Sequence, residues 1–184
     1  MSAVRDFALE FDAAYDKPCE ILTLMAGNFS IRRDTFLRAG GFDENFSGPC
    51  YRLESELSYR LHRLLGRKVA FVPGASIMHL KAGGGTRAFG DKDTWAHVGG
   101  SIGDYYFALR CLPLVACLKH CLTRFVRAPV NRNTARRPWL IPSLLLRETV
   151  AWCRAAGLAS MRPHNYVKDA ASYGVTSPPA TVPV

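Results

Sequence analysis

Apolar residues recur along this chain at helical spacing, separated by short β-rich runs and glycine or proline stops. Residues 3 to 15 place Val4, Phe7, Ala8 and Phe11 at i, i+3, i+4 and i+7, which predicts a helix. Pro18 ends it, and EILTLMAG reads as a short buried strand closing on Gly27. SIRRDTFLRAGGF predicts a short helix with Ser30 as N-cap and Gly40-Gly41 as its stop, followed by the polar turn FDENFSGP. In LESELSYRLHRLLGRK, Leu57, Leu61, Leu64 and Leu65 form one face, Arg60, Arg63 and Arg67 fall on the other side, and Gly66 ends the helix. KVAFVP and ASIMHL predict two strands separated by Pro73-Gly74. The chain turns polar from Arg87 to about Trp95, and helices are expected roughly over 97 to 125 and 139 to 157, with Pro129 to Pro138 as a basic linker. SPPATVPV has too few large apolar residues to fold and reads as a disordered tail.

Composition adds one domain-sized core: 184 residues, 48% hydrophobic and 21% charged, form an ordinary globular balance. The greasiest stretch, YYFALRCLPLVACLKHCL, is interrupted by Arg110, Pro113 and Lys119, so no spanning helix is expected. The N-terminus has acids where a secretion signal needs bases. Cys19, Cys50, Cys111, Cys117, Cys121 and Cys153 show no C-x-x-C pair and read as reduced thiols of a cytoplasmic protein. The net charge of +9 is uneven, because the acids cluster before residue 57 and the bases after it. A long basic half attracts phosphate, whether of nucleic acid, lipid headgroups or a nucleotide.

The candidate chemistry lies between residues 46 and 87. Glu54 and Glu56 open the amphipathic helix about 200° apart, so at most one of them is a reacting group. Acids there also complement the helix dipole, and residue type alone leaves both roles open. His79 ends the ASIMHL strand, where a structural hydrogen-bonded role competes with a ligand role. Gly83-Gly84-Gly85, closed by Arg87, suits a loop over phosphates, although glycine triplets also occur in plain loops. Asp91-Lys92-Asp93 has the D-x-D spacing of a cation site, but no apolar strand precedes it and a solvated loop is the better reading. The arginines of RFVRAPVNRNTARRPW are interleaved with few aromatics and resemble a headgroup-binding linker more than a base-stacking surface.

AGNFSIRRDTFLRAGGFDENF, then RLESELSYRLHRLLGRKVAFVPGASIMHL, then GGGTR, taken in order, resemble the C-terminal half of family 2 glycosyltransferases with the GT-A fold. The resemblance covers about residues 20 to 87. It implies an α/β fold: a partial GT-A domain lacking the N-terminal nucleotide-binding half (1–95), a basic helical extension (96–165) and a disordered tail (166–184). It implies sugar transfer from a nucleotide-sugar donor to the hydroxyl of a glycan or lipid-linked acceptor, as in bacterial surface polysaccharide or glycan synthesis. Glu54 falls where the family's catalytic aspartate stands, with Leu53 in place of the preceding acid, a departure that leaves the base's position less defined. Gly27, Asn28, Asp43, Glu56, Gly84, Gly85 and Arg87 fall at substrate-binding positions, and His79 matches a histidine that helps bind a divalent metal, Mn or Mg.

The family's nucleotide-binding half, with its own D-x-D, has no counterpart here. The chain is expected to be a truncated product or to take that half from a separate chain, with weak or no activity alone. Peripheral contact with the cytoplasmic membrane face is expected of the extension, and nucleic acid is not an expected partner. Two competing readings are a noncatalytic remnant serving as a partner-binding module, and a basic nucleic-acid-binding protein built on residues 110 to 163.

Overall fold

A computed structural model describes residues 16–24, 27–78 and 98–161. The fold is mixed α/β, mostly helical, with one two-stranded antiparallel sheet. The described residues fall into two compact units: 16–24, 27–44 and 53–78 form the first, and 45–52 with 98–161 form the second.

In the first unit, β1 (Cys19–Ile21) pairs with β2 (Val69–Phe71) in the register Cys19 to Phe71, Glu20 to Ala70 and Ile21 to Val69. Side chains alternate across a strand, so Cys19, Ile21, Val69 and Phe71 turn to one face while Glu20 and Ala70 are exposed. A two-stranded ribbon is marginal in water by itself. It is backed by a core of Leu24, Ala39, Leu57 and Leu61, with Phe29, Ile31, Phe36, Phe42, Leu65 and Val69 packed around them. Phe36 and Phe42 meet edge to face, 5.2 Å between centroids.

Two helices close with the same device. In α1 (Arg33–Arg38) the amides of Gly40 and Gly41 return to Leu37 and Phe36 carbonyls at 2.9 and 3.0 Å, with both glycines at positive φ, 85° and 72°. In α2 (Leu53–Leu65) Gly66, at φ 58°, and Arg67 donate to the carbonyls of His62 and Leu61, each at 3.1 Å. The glycine stops are therefore where the sequence places them. The N-cap is not: Arg32, in extended conformation and without a side-chain cap bond, precedes α1 in place of Ser30. Residues 75–78 of the expected ASIMHL strand are not in a strand. Arg60, expected on the solvent side of α2, is buried at 4% exposure.

The second unit packs α3 (Val98–Cys111) principally against α6 (Ile141–Ser160) and also against α4 (Leu114–Arg127). The single helix expected over 97 to 125 is thus two, divided at Pro113, which lacks the amide needed to continue α3 and serves as the N-cap of α4. The basic linker contains α5 (Arg132–Ala135), held by reciprocal bonds in which Asn131 N donates to Thr134 Oγ1 at 2.9 Å and Thr134 N to Asn131 Oδ1 at 3.2 Å. A 3-10 turn (Pro138–Leu140) leads into α6. The expected helix at 3 to 15, the polar loop after Arg87 and the C-terminal tail lie outside the described residues. Among the described residues no helix is long and apolar enough to cross a membrane.

Candidate functional site

Ser58 and Arg60 on α2 gather the motif segments of the first unit. Ser58 Oγ accepts from Leu24 N at 3.0 Å and donates to the Glu54 carbonyl at 2.7 Å. This joins the first turn of α2 to the segment leading into Gly27-Asn28. Asn28 Nδ2 in turn donates to the Ala75 carbonyl at 2.6 Å, tying that segment to the turn after β2. Arg60 spans the other side: Nη1 donates to the Ala39 carbonyl and Nη2 to the Gly41 carbonyl at 2.7 Å. The turn that carries Phe42-Asp43 is thereby fastened to the same helix.

The two glutamates separate cleanly in role. Glu56 is 6% exposed, and both of its oxygens accept from Arg60, Nε to Oε1 at 2.6 Å and Nη2 to Oε2 at 2.7 Å. It holds the guanidinium in line for the Ala39 and Gly41 carbonyls, a positioning role within the protein. Glu54 is half-buried, and its carboxylate has no hydrogen-bond or ion-pair partner among the described residues. A carboxylate in that condition has lone pairs open to solvent or to a ligand. Asp43 is buried at 2% exposure, whereas Gly27 and Asn28 are exposed.

His79, Gly84, Gly85 and Arg87 lie outside the described residues, as do Asp91 and Asp93. Among the described residues no three His, Cys, Asp or Glu side chains group to hold a metal. Glu56 is committed to Arg60, so the described part of the site offers no ligand set of its own. A groove of about 580 Å³ runs beside these segments, with Leu24, Phe29, Ile31, Leu61 and Val69 in its lining and Arg32, Asp34, Arg38, Arg67 and Lys68 among its polar groups. None of the described candidate residues lines it. Among the described residues, this groove and the candidate side chains therefore do not coincide.

Sequence reading missed Ser58 and Arg60 as organisers. The signal for Arg60 was present: Glu56 and Arg60 stand at i, i+4, the spacing of a helical ion pair, and Arg60 lies about 60° from Leu57 on the helical wheel. No local signal identifies Ser58, whose bond to Leu24 crosses 34 positions of sequence.

The second unit encloses another polar cluster. Asp104, 3% exposed, accepts from Arg52 Nε at 2.9 Å and Arg124 Nη1 at 2.8 Å, and lies 3.1 Å from His120 Nε2. Burial opposes its charge, but the His120 hydrogen bond and the Arg124 and Arg52 charges prevail and hold the carboxyl well below its usual range. Glu148, fully buried, accepts from Ser101 Oγ at 2.9 Å and Arg147 Nη2 at 3.0 Å, with Arg124 Nε at 3.4 Å. Burial, followed by the nearby Glu148 charge, pushes the Tyr105 phenol far above its ordinary range. Burial, with Cys117 alongside, pushes the Cys121 thiol up to about 12, so it stays protonated and unreactive at neutral pH. The carboxylates of this cluster are thus met by counter-charges, Asp104 by Arg52 and Arg124 and Glu148 by Arg147 and Arg124.

No family model, curated protein or solved structure matches this chain.

Proposed function

We propose that the chain forms the acceptor-side half of a family 2, GT-A-type glycosyltransferase. Glu54 acts as the general base that takes the proton from the acceptor hydroxyl as the oxygen attacks the anomeric carbon and the nucleotide diphosphate departs. The exposed Gly27-Asn28 border the sugar site, and the buried Asp43 supports the turn behind it. Glu56 acts through Arg60 to keep the Asp43 turn in place. Arg87 and the Gly84-Gly85 loop would offset the leaving group's charge.

One observation carries the reading. Ser58 and Arg60 tie Leu24 and the Ala39 to Gly41 turn to the helix that carries Glu54 and Glu56, and of these two carboxylates Glu54 is the one without a partner among the described residues.

Titration calorimetry of the purified chain with uridine and guanosine diphosphate, each with and without manganese, tests the reading. Binding of one nucleotide that strengthens with manganese is expected. Heat that is equal for the two nucleotides and indifferent to manganese, or salt-sensitive uptake of a DNA duplex in their place, would count against it.

A further inference from the structure

Helix α4 is turned the wrong way round for a water-facing helix. On a wheel of about 100° per residue, Leu114, Val115, Leu118, Leu122 and Val126 occupy one arc of about 120°. That arc faces outward, each of these side chains being 51 to 79% exposed. The opposite side of the helix carries His120 and Arg124, and these point inward to Asp104 and Ser101. An amphipathic helix ordinarily buries its aliphatic stripe and leaves its charges in water. Rotating α4 to do so would strip Asp104 of Arg124 and His120 and leave a buried carboxylate short of counter-charge, which is more costly than exposed leucine. The polar network therefore locks the aliphatic stripe outward.

Charge identifies what the stripe meets. Between residues 98 and 161 the only carboxylates are Asp104 and Glu148, and both are buried and paired. The exposed charges of the same stretch are Lys119, Arg127, Arg132, Arg136, Arg137 and Arg154, all positive. We infer that the outward face of α4 docks on an anionic phospholipid surface, its Leu and Val side chains entering the acyl boundary and exposed bases of the same stretch, Lys119 at the edge of the stripe among them, contacting the headgroups. At 14 residues α4 is about 21 Å long, too short to span and suited to lying in the interface. A bilayer supplies hydrocarbon and negative charge together without demanding a complementary groove. Duplex nucleic acid supplies the charge but nothing that would reward a stripe of aliphatic side chains. The inference rests on the second unit alone and is independent of the transferase reading.

Sedimentation of the full chain with vesicles tests it, using phosphatidylcholine alone and phosphatidylcholine mixed with phosphatidylglycerol. The chain is expected to pellet with the mixed vesicles only, less so at high salt. L118Q/L122Q and the helix-favouring L118A/L122A should each lower the partition at least about tenfold, because each removes two hydrocarbon side chains from the contact. K119Q, which removes the base at the edge of the stripe, should weaken the preference for phosphatidylglycerol. Circular dichroism should show the parent's helicity in all of these variants. Partition of both leucine variants equal to the parent's would overturn the inference. So would a dimer by light scattering that L118A/L122A disperses while vesicles are ignored, since a second copy would then be the occupant. Salt-sensitive binding of a DNA duplex that survives L118A/L122A, without vesicle uptake, would overturn it equally.

Discussion

Arg60 holds Glu56 through two parallel hydrogen bonds, 2.6 and 2.7 Å long, one helical turn apart on α2 and shut away from water. The pair connects α2 to the turn after α1, because the same guanidinium donates to the Ala39 and Gly41 carbonyls. Removing one partner leaves the other as an uncompensated buried charge. Arg60→Met is expected to cost about 3 to 5 kcal/mol in urea unfolding. Glu56→Leu combined with Arg60→Met should recover much of that loss, and a double variant no more stable than Arg60→Met would show that the carbonyl contacts dominate.

Glu54 should respond differently, since it is half-buried and no ion pair within the described residues depends on it. Glu54→Gln is expected to leave the thermal midpoint and nucleotide binding unchanged, while any turnover of a nucleotide sugar falls by about 10²- to 10⁴-fold. A coupled assay of nucleotide diphosphate release measures the second effect. Calorimetry measures the first, and unaltered turnover would remove Glu54 from the chemistry.

The helices of the second unit should weaken at both ends of the pH scale. Asp104 has a depressed pKa in the folded chain, so its contribution is complete above its ordinary value of 3.8 and is lost as the pH falls below that. Tyr105 has a raised pKa, so folding keeps a proton that the unfolded chain releases above its ordinary value of 10.0, and stability declines as the pH climbs past that point. Thermal unfolding followed across pH should show both declines. Asp104→Asn should flatten the acid limb, at the cost of lower stability at neutral pH.

Two helical glycines make opposite predictions from the same substitution. A Cβ on Gly103 would stand 2.4 Å from the Tyr51 carbonyl oxygen, a backbone atom that has no easy way to retreat. Gly103→Ala is expected to destabilise by about 1 to 3 kcal/mol. A Cβ on Gly157 in α6 meets nothing within 4 Å, so Gly157→Ala should stabilise by about 0.5 to 1 kcal/mol through reduced backbone entropy in the unfolded chain. Chemical denaturation of the two variants side by side measures the contrast.

Local chemistry made part of this molecule legible in the sequence. The period of Leu57, Leu61, Leu64 and Leu65 with Gly66 behind them specified α2, and Gly40-Gly41 specified the end of α1, because helical spacing and left-handed backbone are properties of neighbouring residues. The break at Pro113 was equally local, although the apolar run around it reads as one continuous helix. Tertiary structure alone decided that Arg60 turns inward beside the leucines of α2 and that α4 turns its aliphatic face outward. Arg60 is buried because the Ala39 and Gly41 carbonyls and Glu56 meet it there, and α4 exposes its leucines because Asp104, remote in sequence, claims its arginine and histidine. Hydrophobic pattern predicts burial only where apolar contact dominates the energetics. A buried carboxylate outweighs it, and the position of that carboxylate relative to α4 is fixed by packing, not by spacing along the chain.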